Sequence, residues 1–137
     1  MRIFIDANIL VTVLNKELPL FDTAARVLSL GSKKGYTLFT SPICLAIAFY
    51  FAERKSGSNQ AKRKIEILSK NIRIASSSEK SVARAIRDQK VLDLEDGFEY
   101  YAALESKCEV IITEDVDDFH FSKIPVFKTR DYLKSIS

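Results

Sequence analysis

The 137-residue sequence has no tryptophan, one histidine, one methionine, two cysteines, three prolines and four glycines. With His120 alone, there is no cluster of His and Cys of the kind that holds zinc. Cys44 and Cys108 both sit in apolar surroundings. They read as reduced core residues of a cytoplasmic protein, with a Cys44–Cys108 disulfide as the alternative. The longest apolar stretch, Ile43 to Ala52, is too short to span a bilayer, so no membrane association is expected. No charged segment followed by an apolar one opens the chain, so no signal peptide is expected. No internal repeat and no domain linker interrupt it. With 47% apolar residues, the expectation is a single globular domain over residues 1–137.

What is present is concentrated at the start. Ile3, Phe4 and Ile5 form a short apolar run that predicts a buried strand. Asp6 stops it, and Ile9, Leu10, Val13 and Leu14 follow at helical spacing. A carboxylate thus stands where a strand ends and a helix begins, which is where ligands bind in an open α/β sheet. The alternative is that Asp6 only caps the helix.

Farther on, the pattern predicts a helix from Ala24 to Leu30 with Asp22 as its cap, and a strand over 36–40. Ser41 and Pro42 open an almost wholly apolar helix that runs to about Arg54. A helix apolar all round is buried or covered by a second surface, which predicts a homodimer. Residues 56–59 read as a loop. Gln60 to Lys70 reads as a basic helix with Ile65, Ile67 and Leu68 inward. A short strand over 72–74 follows, then a helix over 79–89 with Val82, Ala83, Ala85 and Ile86 inward. Asp93 caps a helix to about Lys107. Glu109–Thr113 is the strongest strand signal, Ile124–Phe127 the last, and Thr129 caps a closing helix from Arg130. Strands separated by helices predict a three-layer α/β/α fold with a mainly parallel sheet of four or five strands.

The net charge is only +3, but its distribution is lopsided. Arg54 to Arg73 holds seven Lys/Arg and one acid, whereas Asp93 to Asp118 holds ten acids and one base. A basic face beside an acidic centre suits an enzyme that binds phosphates and uses a cation, although charge runs are usually solvated helix faces. Asp6 and Asp115 end two strands that would be parallel neighbours. Asp118 follows one turn later, Asp96 opens a helix, and Asn8 adds an amide oxygen. Gathered carboxylates raise one another's pKa, and a divalent cation removes that cost. An all-oxygen set favours Mg²⁺ or Mn²⁺ over Zn²⁺, and such a site suits phosphodiester hydrolysis. Glu95 reads as solvated, Asp117 as a turn residue and His120 as a surface residue rather than a ligand.

At these residues the chain resembles the PIN domain family, the fold of many small metal-dependent ribonucleases and of VapC-type toxins. The resemblance rests on Ile3-Phe-Ile-Asp-Ala-Asn-Ile-Leu10, on Ser41-Pro42 with the apolar helix after it, and on Leu94-Glu-Asp-Gly97. Ile111-Ile-Thr-Glu-Asp-Val-Asp-Asp-Phe119 and Ile124-Pro-Val-Phe127 complete it. It implies a PIN-like fold in which Asp6, Asp96 and Asp115 are catalytic metal-site acids and Asp118 is a fourth. Asn8 and Ser41 would support them. It also implies Mg²⁺ or Mn²⁺ as cofactor, RNA as substrate, a homodimer and an antitoxin partner. One residue departs from the family pattern: Ile47 stands where the family usually has Glu, which implies a weaker or single-metal site. Glu53 lies about 240° around the helix and ~9 Å along it, a poor replacement.

The leading expectation is a metal-dependent endoribonuclease, the toxin of a toxin–antitoxin pair, with Arg54, Lys62, Arg63 and Lys64 guiding the RNA backbone. The alternative is a catalytically weak or inactive PIN-like module that binds RNA or protein. A phosphotransfer enzyme ranks below both, because Asp6-Ala7-Asn8 lacks the second Asp that a haloacid-dehalogenase-type phosphatase needs.

Overall fold

The computed structural model describes residues 1–137. Ile3, Phe4 and Ile5 are wholly buried in β1 (Arg2–Ile5). Each such side chain contributes about 2 kcal/mol by leaving water. Apolar runs buried on both faces mark the strands of a parallel sheet, and β2 (Thr37–Thr40) and β4 (Val110–Ile112) share the pattern. With β3 (Ile72–Ile74) and β5 (Val126–Phe127) they form one five-stranded sheet in the order β3-β2-β1-β4-β5. Every neighbouring pair is parallel. The helices are α1 (Ala7–Leu14), α2 (Phe21–Ser29), α3 (Pro42–Ser56), α4 (Ser58–Ser69), α5 (Glu79–Arg87), α6 (Leu94–Glu105) and α7 (Thr129–Ser135). They flank the sheet in the expected three-layer α/β/α arrangement. None is long and apolar enough to cross a membrane.

This strand order places the site. The chain builds β1, β2 and β3 outward on one side, then returns to lay β4 on the other side of β1. The order therefore reverses between β1 and β4, and the crevice beyond their carboxyl ends is where α/β sheets bind ligands. The register pairs Ile5 with Ile112, so Asp6 leaves its strand level with Thr113.

Several local expectations change. Asp22 lies in the first turn of α2 and does not cap it; the cap position is Leu20. The loop over 56–59 shrinks to Gly57, whose φ of 82° turns α3 directly into α4. Glycine reaches that conformation without the penalty other residues carry. Ile67 and Ile86 face solvent, because Ala61, Ile65 and Leu68 already cover the inner side of α4 and Ala85 that of α5. Thr129 is the first residue of α7 rather than its cap, and its hydroxyl donates to Glu114. Helix α3 is apolar but not enclosed. Cys44, Ala48 and Ala52 face the core, while Tyr50 and Phe51 are exposed. Both cysteines are buried and free, so the disulfide alternative falls.

Candidate active site

Asp6 does two jobs. It is the N-cap of α1, with Oδ1 accepting from the Ala7 N–H at 2.6 Å. Its other oxygen, Oδ2, accepts from the Thr113 hydroxyl at 2.7 Å and from the Asn8 amide at 3.3 Å. The capping alternative and the site reading therefore hold together, because a carboxylate has two oxygens to give.

Asn8 plays a different part from the expected one. Its Nδ2 faces the carboxylates, donating to Asp6, to Asp115 Oδ2 at 3.1 Å and to Thr113 Oγ1 at 3.0 Å. Its oxygen is taken by the Glu114 N–H at 3.3 Å. Asn8 is thus a clamp between two acids and adds no free amide oxygen. Thr113, fully buried, is the hub of this network: its hydroxyl donates to Asp6 and accepts from the Asp115 N–H. The chain turns after β4, so Asp115 reaches Asp6 through Asn8 and not as a paired strand-end residue.

The acids open onto a cleft of about 290 Å³ at the carboxyl edge of the sheet. Asp6, Glu17, Glu95, Asp96, Asp115 and Asp118 line it, with no basic side chain among its lining residues. Four expected site acids are thereby gathered in one place. Glu95, expected to be solvated, is exposed yet borders the cleft. Ile47 and Phe51 of α3 form its apolar wall. Ser41 lies outside it, where its Oγ caps α3 by accepting from the Cys44 N–H at 3.2 Å. Glu53, His120, Arg54, Lys62, Arg63 and Lys64 do not line it. His120 is exposed and meets the Phe121 ring edge-on. Lys64 donates to Ser56 and borders a separate apolar groove between α1, α2 and α4.

Glu99 is a further acid beside the site that is not among the expected residues. It lies three residues beyond Asp96 on α6, only 1% exposed, with Oε1 at 3.1 Å from the Cys44 thiol. The i, i+3 spacing puts Asp96 and Glu99 on one helix face, the signal available in the sequence. Asp6, Cys44 and Glu99 have ligand atoms within 4.8 Å of one another, and so do Glu95, Asp96 and Glu99.

Burial and mutual repulsion set the charges. Burial first, then the charges of Asp93, Asp118, Asp6 and Glu95, push the Asp96 carboxyl from 3.8 to about 7. Burial raises Asp118, helped by Asp115, and raises Glu95, helped by Asp93. Burial, then the hydrogen bond with Asp6, pushes Glu99 far upward. Burial and the Asp6 charge likewise raise the Cys44 thiol. A carboxyl whose pKa is higher folded than unfolded holds its proton in the folded state where the unfolded chain has lost it. Stability then falls as pH rises between the two values. For Asp96 that window runs from about 4 to about 7. In chelator, melting is expected several degrees lower at pH 8 than at pH 5 by scanning calorimetry. A melting temperature that is flat or rises across this range contradicts the account.

A family model described as the PIN domain matches residues 2–117. The chain belongs to the PIN domain family. Its fold is similar to that of VapBC-1 from nontypeable Haemophilus influenzae, with a TM-score of 0.73 and 22% identity over 95% of this chain and 99% of that one. It is also similar to VapBC2 from Rickettsia felis bound to a promoter DNA fragment, at TM-score 0.71 and 22% identity over 92% of this chain and 97% of that one. For the sarcin-ricin-loop-cleaving toxin VapC20 of Mycobacterium tuberculosis the TM-score is 0.68, at 18% identity over 87% and 94%. No curated protein matches the chain in sequence. PIN nucleases generally depend on a divalent metal. The donors here fit one: several carboxylates, partly desolvated, with no basic group to offset them.

Proposed function

We propose that this PIN domain is a Mg²⁺- or Mn²⁺-dependent endoribonuclease, the toxin of a toxin–antitoxin pair, acting in the cytoplasm. The observation that carries the reading is the cleft itself: six carboxylates, no base, at the carboxyl edge of the sheet. The VapBC character of structures with this fold supports the antitoxin partner. Exposed Tyr50 and Phe51 on α3 support a homodimer.

Asp6, Asp96 and Asp115 are the residues assigned to the cation, with Asp118 as a fourth. When bound, a divalent ion polarises a phosphodiester and makes water a stronger nucleophile. The protein's own groups prepare the place. Thr113 and the Ala7 N–H fix the two oxygens of Asp6, and Asn8 holds Asp115 at a set distance from it. Asp96, whose carboxyl is pushed up to about 7 in the metal-free cleft, would have to be deprotonated to hold a cation. The carboxylates alone would repel an RNA phosphate, so a cation held by them would supply the attraction that the cleft's own side chains lack. Arg54, Lys62 and Arg63 lie exposed on α3 and α4, outside the cleft, where they can follow a backbone leading to it. Lys64, turned toward Ser56, is the least suited of the four.

The test is a panel of structured RNAs incubated with purified, antitoxin-free protein. Internal cleavage in Mg²⁺ or Mn²⁺ and none in excess chelator supports the reading; intact RNA under every metal overturns it. The apolar Ile47 on the cleft wall favours one second reading, a non-catalytic binding module. That module would retain RNA or protein binding after Asp6→Asn.

A further inference from the structure

We infer that Glu99 is itself a ligand of the cation in this cleft, reaching it from the protein interior on α6. The inference rests on the metal-dependent reading above and extends its ligand set. A glutamate is almost never fully buried without a partner. Glu99 is 1% exposed, and its hydrogen-bond partners are the Cys44 thiol, a weak donor, and Asp6, a second acid. No basic side chain serves it, since the one ion pair in the protein joins Arg26 to Asp22 at the surface.

The second observation is its position. Glu99 is the residue shared by the two groups whose ligand atoms lie within 4.8 Å of one another, one containing Asp6 and the other Asp96. Oxygens about 2.1 Å from an octahedral Mg²⁺ are roughly 3.0–4.2 Å apart. The 4.8 Å limit within which these groups lie is close to that range. Glu99 therefore joins the β1 acid to the α6 acid through one ion. Helix α3 lines the cleft with Ile47, which has no oxygen to offer. A carboxylate placed there adds an oxygen donor to the same cleft.

The experiment titrates Mn²⁺ into metal-free protein and reads free Mn²⁺ by electron paramagnetic resonance, without RNA. The proteins are wild type, Glu99→Gln and Glu99→Gln with Ile47→Glu. Glu99→Gln is expected to weaken Mn²⁺ binding by at least about 10-fold, and the double variant to regain part of that loss. Wild-type affinity in Glu99→Gln overturns the inference and leaves the metal site standing. Absence of Mn²⁺ binding by wild type at millimolar concentration overturns both. If Glu99→Gln does not fold by circular dichroism, Glu99→Met, apolar and of similar volume, replaces it in the same comparison.

Discussion

Asp96→Asn is expected to make the metal-free protein more stable at pH 8 and to remove nearly all RNA cleavage. Burial and four neighbouring negative charges act on the Asp96 carboxyl, and no hydrogen bond is among the influences on it. The amide is nearly the same size, carries no charge and breaks no bond. Removing a repelled, partly desolvated charge therefore raises the melting temperature above pH 7, where the wild-type group is ionised. At pH 5, where wild-type Asp96 already holds a proton, the difference shrinks. Cleavage moves the other way. Loss of one preorganised charge at a reacting phosphodiester is worth about 10²–10³ in rate. Melting curves in chelator at the two pH values, together with cleavage rates in Mn²⁺, check both halves. A less stable variant that still cuts RNA at the wild-type rate contradicts the assignment.

Phe119→Ala is expected to have the largest effect on folding. Phe119 closes the short 3-10 turn Val116–Phe119, which carries Asp118, and is 2% exposed. Its ring lies 6.1 Å from that of Phe121, which meets Tyr100 of α6 edge-on at 5.1 Å. Truncating a buried phenylalanine destabilises by about 3–5 kcal/mol, a large share of the roughly 5–15 kcal/mol that holds a domain folded. For a chain of this size that lowers melting by roughly 10–20 °C. The turn that positions Asp118 loses its anchor, so cleavage falls even in the folded fraction. Calorimetry reads the first effect; a shift of less than about 3 °C contradicts it.

The frame of the site is legible in the residues because the physics there is local. An apolar run that stops at Asp6, and another that stops at Thr113, read as buried strands, and the helices between them point to a mainly parallel sheet. Ser41-Pro42 and Asp93 announce helix starts by capping chemistry, and both side chains cap as expected. What is not legible depends on contacts between distant elements. Whether the nitrogen or the oxygen of Asn8 faces Asp6 is decided by Thr113 and Glu114, more than a hundred residues away. Glu99 sits inside an acidic run that reads as a solvated face; only the packing of α6 beside Cys44 and Asp6 takes it out of water. Ile67 and Ile86 fail for the converse reason: an apolar residue on an amphipathic helix faces the core only if it falls on the stripe that packs there, which on α4 is Ala61, Ile65 and Leu68.

The central claim is that this acidic cleft cuts RNA through a divalent cation held by Asp6. The most direct measurement compares wild type with Asp6→Asn on one panel of structured RNAs, in Mg²⁺, in Mn²⁺ and in chelator, with both proteins shown to be folded. The account predicts internal cleavage by wild type in metal only and none above background by Asp6→Asn. Equal cleavage by the two proteins, or cleavage that persists in chelator, would contradict it.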